Sequence, residues 1–243
     1  MRGKLAVSKF YFANWRRTLV RKRAWPFTAL VTRGLAGIAL HIQRPDLAAV
    51  LLLAFVALLR PREALALSFA DIRHYAQGRR GIVFLRASKT GQRHNVVEKV
   101  VVDDPLVLAA VRLAQQRRRM CEPLYTKPQS NFGRELRELA RRAGMASSRV
   151  SGYSLRRGGA TWHFLTTGNL EQTAVKGRWS QVRTARIYID QAMAQQHEWE
   201  LRPATRRLLR TAARVARRVL QGSDGGADGA GGLQNEGPQT EGT

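Results

Sequence analysis

The sequence has a single cysteine, Cys121, among its 243 residues. One thiol can form neither an internal disulfide nor a zinc site made of several cysteines, which argues against a disulfide-stapled secreted domain and fits a reducing interior. Histidine is also scarce, and none of the five histidines has the spacing of a metal site or a catalytic triad. The sequence therefore predicts no metal-binding site.

Long apolar stretches are missing as well. The longest, residues 47–59, has thirteen residues, whereas a helix that spans a bilayer needs about 20. Residues 1–25 are basic and aromatic and lack the apolar core of a secretory signal. We therefore expect an intracellular protein that does not span a membrane.

Acidic residues are also few: the chain has 17 Asp and Glu but 42 Lys and Arg, which gives a formal net charge of +25. A surface this positive requires an anionic partner, and polyphosphate is the partner that such charge favours most. The composition leaves two alternatives open. The partner could be an anionic membrane surface, or the chain could be a basic protein without a specific ligand. Cations and aromatic rings interleave in residues 1–25, so this arm either follows a sugar-phosphate backbone or docks on the main domain.

The hydropathy pattern predicts an α+β fold that is mainly α-helical and carries a small antiparallel β-sheet. Hydrophobic residues make up 44% of the chain, enough for one core of ordinary size. Residues 47–59 are apolar on every face, which indicates a central, buried helix. Runs rich in β-branched residues at 81–86 and 96–102 predict two strands, with a third near 71–75. The other predicted helical segments are 28–41, 62–67, 106–119, 131–143, 154–166, 170–176, 181–196 and 203–220.

These segments divide the chain into four parts. Residues 1–26 form the basic aromatic arm, and residues 27–202 form the main folded domain. Residues 203–220 form a basic helix with leucine and alanine on one face and arginine on another. Residues 221–243 are rich in glycine and contain acids but no bases, a composition that predicts a disordered tail.

Five short motifs along the folded domain carry side chains suited to chemistry at a phosphodiester. In chain order they are Arg60 with Glu63, Lys89 in a Lys-Thr-Gly turn, Tyr153 with Arg156, Trp179 after Gly177-Arg178, and Tyr188. Their order and spacing resemble the active-site pattern of tyrosine recombinases, the phage-integrase family of DNA breaking-rejoining enzymes. The resemblance covers residues 45–195. It implies an integrase-type catalytic domain that binds double-stranded DNA, forms a homo-oligomer on it, and uses neither metal nor cofactor.

The chemistry of the reaction explains why these residue types are needed. Attack on a phosphodiester builds negative charge on its non-bridging oxygens, to which the guanidiniums of Arg60 and Arg156 can donate paired hydrogen bonds. Arg156 is expected in the first turn of its helix, where the helix dipole also favours phosphate. The Trp179 indole is a further donor, and the Lys89 ammonium can protonate the departing 5′-oxygen. Tyr188 would then hold the strand as a 3′-phosphotyrosine.

The resemblance therefore predicts DNA strand cleavage and rejoining, as in site-specific recombination or DNA integration, by a protein of the nucleus or nucleoid. Structural alternatives remain for the single residues. Arg60 and Glu63 could form an ordinary surface pair, Lys89 could be a solvated turn lysine, and Trp179 could serve core packing alone.

Two features depart from the family pattern. Tyr153 stands where the family has histidine, and a phenol with a pKa of about 10 is a poor base near neutral pH. Only residues 1–46 precede the central apolar helix, whereas family members carry a separate helical domain there. We therefore expect a truncated, domesticated or mobile-element-derived catalytic domain. A catalytically weak or inactive DNA-binding derivative of the same fold is the alternative.

Three further alternatives stay open. DNA relaxation of the type IB topoisomerase kind would use the same chemistry. A basic RNA-associated structural protein would account for the charge, although it has no need of the ordered Arg, Lys, Arg, Trp and Tyr series. The helix at 203–220 could pack in cis, bind phosphate, or dock into a neighbouring protomer, as C-terminal helices do in the family.

Overall fold

The computed structural model describes residues 24–86, 96–116 and 118–224. The helices of this part are α1 (Ala29–His41), α2 (Pro45–Val56), α3 (Pro61–Leu65), α4 (Pro105–Gln115), α5 (Phe132–Arg142), α6 (Gly152–Thr167), α7 (Leu170–Lys176), α8 (Val182–Tyr188), α9 (Gln191–Trp199) and α10 (Pro203–Asp224). The strands are β1 (Ile72–Tyr75), β2 (Arg80–Leu85) and β3 (Glu98–Val102). The predicted α+β class, mainly helical with a small antiparallel sheet, is confirmed. None of the helices described is long and apolar enough to cross a bilayer.

Helix α2 is the centre of the domain because its residues are apolar on every face. All residues from Asp46 to Val56 are buried, and α2 packs against α1, α4 and α6. The helix ends three residues before the predicted end at residue 59. Leu58 adopts left-handed backbone dihedrals, with φ of 49°, which a bulky residue rarely adopts and which a helix cannot continue through. The resulting turn points the Leu58 carbonyl toward Arg156.

The three strands form one antiparallel sheet in the order β1-β2-β3. Val83 of β2 pairs with Ile72 of β1 and with Val100 of β3. These three residues are buried, whereas their chain neighbours Arg73 and Val101 are exposed, as expected when one face of a sheet covers a core. The predicted turn between the second and third strands, residues 88–93, lies outside the described residues.

Helix α6 lies unusually close to its neighbours through two consecutive glycines. A Cβ added at Gly158 would lie 1.9 Å from the carbonyl oxygen of Phe27, and one added at Gly159 would lie 2.0 Å from that of Phe55. Both obstacles are backbone atoms, which cannot rotate away as a side chain can. Gly159 thus allows α6 to sit directly against α2, and Gly158 allows it to sit against the segment that precedes α1.

Changing Gly159 to alanine is expected to lower the free energy of unfolding by about 1–3 kcal/mol, because α6 and α2 must separate to admit one methyl group. Gly133 in α5 is the matched control, since a Cβ there meets only the flexible end of Arg137 at 3.6 Å. Alanine at 133 should leave stability unchanged or raise it by about 0.5–1 kcal/mol. Urea unfolding of both variants measures the difference, and equal midpoints would contradict the close contact.

Two of the helices predicted in the second half of the chain differ from the helices observed there. Helix α6 begins at Gly152 and is capped by Ser151, so Ser154 is the third residue of the helix; its hydroxyl accepts the Ser151 N–H at 3.2 Å. The predicted helix 181–196 is two helices, α8 and α9. The break falls at Asp190, whose carboxylate accepts the Met193 N–H and caps α9, a cap that competes with helix continuation.

The long basic helix α10 packs in cis, mainly along α1. It extends to Asp224, beyond the predicted end at residue 220. A Cβ at Gly37 of α1 would lie 2.2 Å from the Ala212 carbonyl oxygen, and Leu209 is fully buried over Gly34. The cis alternative is therefore the one that this single chain adopts. Its exposed side carries arginine.

Candidate active site

Three parts of the chain meet beside the end of α2. Arg60 and Glu63 come from the start of α3, and Arg156 comes from α6. Trp179 and Tyr188 come from the segment between α7 and the end of α8. The Arg156 guanidinium lies 4.0 Å from the Glu63 carboxylate, 4.6 Å from the Trp179 ring centre and 5.3 Å from the Tyr188 ring centre. The fold thus brings together five of the seven residues that the sequence singled out.

Glu63 is the central anion of this cluster. Its Oε2 accepts the Arg60 backbone N–H at 2.7 Å, and its Oε1 accepts Arg60 Nη1 at 2.5 Å. Pro61 sets this geometry, because the residue before a proline avoids helical dihedrals and Arg60 is extended, with φ −67° and ψ 148°. The Glu63 side chain is only 3% exposed, so the interpretation as an ordinary surface pair is wrong.

Arg178 is a member of the cluster that the sequence did not reveal. Its Nη2 donates to Glu63 Oε2 at 2.6 Å, and its Nε lies 3.5 Å from Glu98 on β3. The residue has left-handed backbone dihedrals, with φ of 56°, which are uncommon for a side chain of this size. Only its position between Gly177 and Trp179 hinted at a role, since neither its spacing nor its residue type distinguishes it from the other arginines.

The charges of the cluster shift the pKa values of its members. Burial by itself raises the pKa of the Glu63 carboxyl, but Arg178 and the hydrogen bonds from Arg60 outweigh it, so the pKa lies below its ordinary value. Burial, followed by the charges of Arg178 and Arg60, lowers the pKa of Arg156 to about 10. Among the described residues, the three guanidiniums of Arg60, Arg156 and Arg178 face the two carboxylates of Glu63 and Glu98, which gives this part of the cluster one positive charge in excess.

Arg156 is the most enclosed of the three guanidiniums. Its side chain is 0% exposed, Nη1 donates to the Leu58 carbonyl, and Nη2 donates to the Gly177 carbonyl at 2.8 Å. Since α6 begins at Gly152, Arg156 lies in the second turn of the helix, and the prediction of a first-turn position is wrong. Its Nε has no hydrogen-bond partner within the described residues.

The rings of Trp179 and Tyr188 cover Arg156. Their centres lie 4.8 Å apart at an interplanar angle of 33°, and both rings are partly exposed. Gly177 is required for this fold-back, because a Cβ there would lie 2.0 Å from the Trp179 ring. Within the described residues, neither the indole N–H nor the phenol hydroxyl has a hydrogen-bond partner.

The two remaining predicted residues are not part of this cluster as described. Tyr153 lies one helical turn before Arg156 and is 50% exposed; no contact joins it to the cluster among the residues described. Lys89 lies outside the described residues, so its role stays a prediction. No group of three or more His, Cys, Asp or Glu side chains in the described part of the chain could hold a metal ion.

The arrangement can bind and polarise an anion with a single negative charge. Glu63 fixes the guanidiniums of Arg60 and Arg178 in place and lies 4.0 Å from that of Arg156, against which the Trp179 ring packs. Donors preset in a site that excludes water stabilise developing negative charge far better than donors in water. The phenol ring of Tyr188, a residue type that can act as a nucleophile, lies against Arg156 with its centre 5.3 Å from the guanidinium.

Comparison with known proteins gives a structural match but no sequence match. No known family profile matches the sequence, and no curated protein matches it. Among solved structures, XerA recombinase superposes with a TM-score of 0.56 at 16% identity, over 74% of this chain and 66% of that one. XerH site-specific recombinase bound to difH substrate in a pre-cleavage complex gives 0.56 at 14% identity, over 75% and 56%. Its post-cleavage complex with palindromic difH gives 0.54 at 14% identity, over 69% and 50%.

These matches establish the fold of the domain. The chain has the fold of the tyrosine-recombinase catalytic domain, in agreement with the resemblance drawn from its motifs. It spans between half and two thirds of the length of the solved recombinases that it matches.

Proposed function

We propose that this chain recombines DNA by cleaving and rejoining strands through a covalent link to Tyr188. The observation that carries the proposal is the distance of 5.3 Å between the Tyr188 ring and the Arg156 guanidinium, within a buried cluster that has one positive charge in excess. A phosphodiester carries one negative charge and would neutralise that cluster. The fold, shared with site-specific recombinases, supports the same function.

The proposed step is an in-line displacement at phosphorus. The Tyr188 oxygen forms a bond to phosphorus, the bond from phosphorus to the 5′-oxygen breaks, and the strand is left on the enzyme as a 3′-phosphotyrosine. The phenol proton passes to water, and the 5′-oxygen gains a proton from Lys89, so protons balance. Arg60, Arg156 and the Trp179 indole hold the non-bridging oxygens. Attack by a 5′-hydroxyl reverses every bond change and rejoins the strand.

The proposed partner is double-stranded DNA, bound by a homo-oligomer in the nucleus or nucleoid. The net charge of +25 supports this partner, because cations that neutralise phosphates gain affinity through counterion release. Exposed arginines on α5 and α10 extend the positive surface beyond the site. Affinity should therefore fall steeply as salt is raised, whatever the DNA sequence.

The test is a nicked suicide duplex, which loses its short 5′-hydroxyl strand after cleavage and so traps the covalent species. The wild-type chain should shift to the mass of a protein–DNA adduct on denaturing electrophoresis, and mass spectrometry should place the nucleotide on Tyr188. An adduct on another residue, or no adduct on any of a set of duplexes that the chain binds, would contradict the proposal. A single-stranded control oligonucleotide reports non-specific crosslinking.

A DNA-binding derivative that does not cleave is the second candidate. Two observations favour it: Tyr153 stands at the position where a base is expected, and Arg156 is wholly covered by Trp179 and Tyr188. A phosphate reaches Arg156 only after those rings move. Tight, salt-dependent DNA binding without any adduct in the suicide assay would select this candidate.

A further inference from the structure

The connection between α8 and α9, which follows Tyr188 and is called the joint here, is held by several hydrogen bonds. Asp190, two residues after Tyr188, is fixed at three points. Its backbone N–H donates to Thr161 Oγ1 at 3.1 Å, its Oδ2 accepts Arg157 Nη2 at 3.0 Å, and its Oδ1 accepts the Met193 N–H at 3.1 Å. The end of α8 is therefore tied both to α6 and to the start of α9.

The α6 side of this joint is buried. The Arg157 side chain is 6% exposed and Thr161 is 2% exposed. The Thr161 hydroxyl donates its own proton to the Arg157 carbonyl at 3.0 Å, which orients its lone pairs toward Asp190. The Asp190 carboxylate, 26% exposed, gives the buried guanidinium of Arg157 a counter-charge, and a buried charge without one is strongly destabilising.

The position of these residues relates the joint to the active site. Arg157 follows Arg156 directly in α6. The same turn of α6 therefore carries Arg156, the proposed phosphate-binding residue, and holds the chain that follows Tyr188. Two residues of extended chain span at most about 7 Å, so a fixed Asp190 confines Tyr188 to a small volume. The observed placement of the Tyr188 ring against Arg156 of the same chain is within that volume.

We propose that Arg157, Thr161 and Asp190 form a clamp that positions Tyr188 beside Arg156 for attack on the bound phosphate. The inference rests on the proposed function. All three are positioning residues, since none of them touches the reacting atoms. Asp190 also caps α9, and the test must separate this local role from the clamp.

Asp190→Asn makes that separation. Asparagine caps a helix as well as aspartate does, but its amide cannot act as a counter-charge to Arg157. The expected result is single-turnover adduct formation slowed by about 100-fold, the effect of displacing a reacting group by about 1 Å, with DNA affinity unchanged. Asn169→Ala is the control, because it removes the cap of α7 without touching the clamp, and it should keep the wild-type rate. A rate within about twofold of wild type for Asp190→Asn would overturn the clamp.

A readout independent of cleavage keeps the clamp testable on its own. Amide hydrogen exchange of residues 182–190 should be at least about tenfold faster in Asp190→Asn than in Asn169→Ala, because the end of α8 is released to open locally. Equal exchange would exclude the clamp even if the chain proved to be an active recombinase. Faster exchange in a chain that forms no adduct would retain the clamp and reject the proposed function.

Discussion

Tyr188→Phe is expected to abolish the covalent protein–DNA adduct while leaving DNA affinity unchanged. The substitution removes only the phenol oxygen, and the remaining ring can still stack on Trp179, 4.8 Å away between ring centres. Without that oxygen no bond to phosphorus can form, so the adduct should fall by more than about a thousandfold, to the limit of detection. The suicide-duplex assay and a parallel binding titration measure the two quantities.

Tyr153→Phe is the matched comparison, because it removes the same atom from the other tyrosine of the predicted site. Tyr153 is half-exposed and lies one helical turn from Arg156, where its hydroxyl could donate to a bound phosphate. This variant should slow adduct formation without preventing it, because losing one donor costs about 100- to 1,000-fold. A Tyr188→Phe chain that still forms the adduct, or a Tyr153→Phe chain that alone loses it, would mean that the nucleophile is misassigned.

Glu63→Gln is expected to have the largest effect on stability. Glutamine preserves the shape of the side chain but removes the negative charge that holds Arg60 and Arg178 and faces Arg156. Breaking a buried ion pair from one side leaves uncompensated charge and costs about 3–5 kcal/mol. Urea unfolding at pH 7 should show a loss of this order, and Glu138→Gln is the control, since its bonds to Arg141 and Arg142 are on the exposed side of α5.

The same variant has a predicted pH dependence. The folded-state pKa of Glu63 lies below its ordinary value of 4.5, so its ionised form stabilises the fold. That contribution is complete above about pH 4.5 and is lost as the pH falls through the folded-state pKa. The stability gap between wild type and Glu63→Gln should therefore be constant at neutral pH and narrow in acid. A gap that widens in acid would mean that Glu63 is protonated in the fold.

The sequence singled out Arg60, Glu63, Arg156, Trp179 and Tyr188 by residue type and order, and the fold brings these five residues together. Their catalytic roles stay a prediction. The apolar run at 47–59 likewise had to be central, since no face of it could be left in water.

What the sequence could not reveal depends on backbone turns and on contacts across the fold. The left-handed backbone of Arg178, which turns its guanidinium toward Glu63, has no signature in residue type. The covering of Arg156 by two rings depends on the turn at Gly177, and a helix pattern alone gives no ring orientation. The break at Asp190 was missed because residues 181–196 are compatible with one helix until Thr161 and Arg157 are brought beside it.

The docking of α10 on α1 has a consequence for any exchange of this helix between two copies of the chain. Glycine at 34 and 37 lets the two backbones interlock, with Leu209 filling the space between them. If α10 moved from its own protomer to a neighbouring one, the apolar side of α1 would first be exposed to water. The free energy of burying that side would be recovered only when the neighbour's α10 had docked in its place. Contacts between protomers that use surfaces already formed need no such opening, and would therefore form and dissociate faster than an exchange of α10.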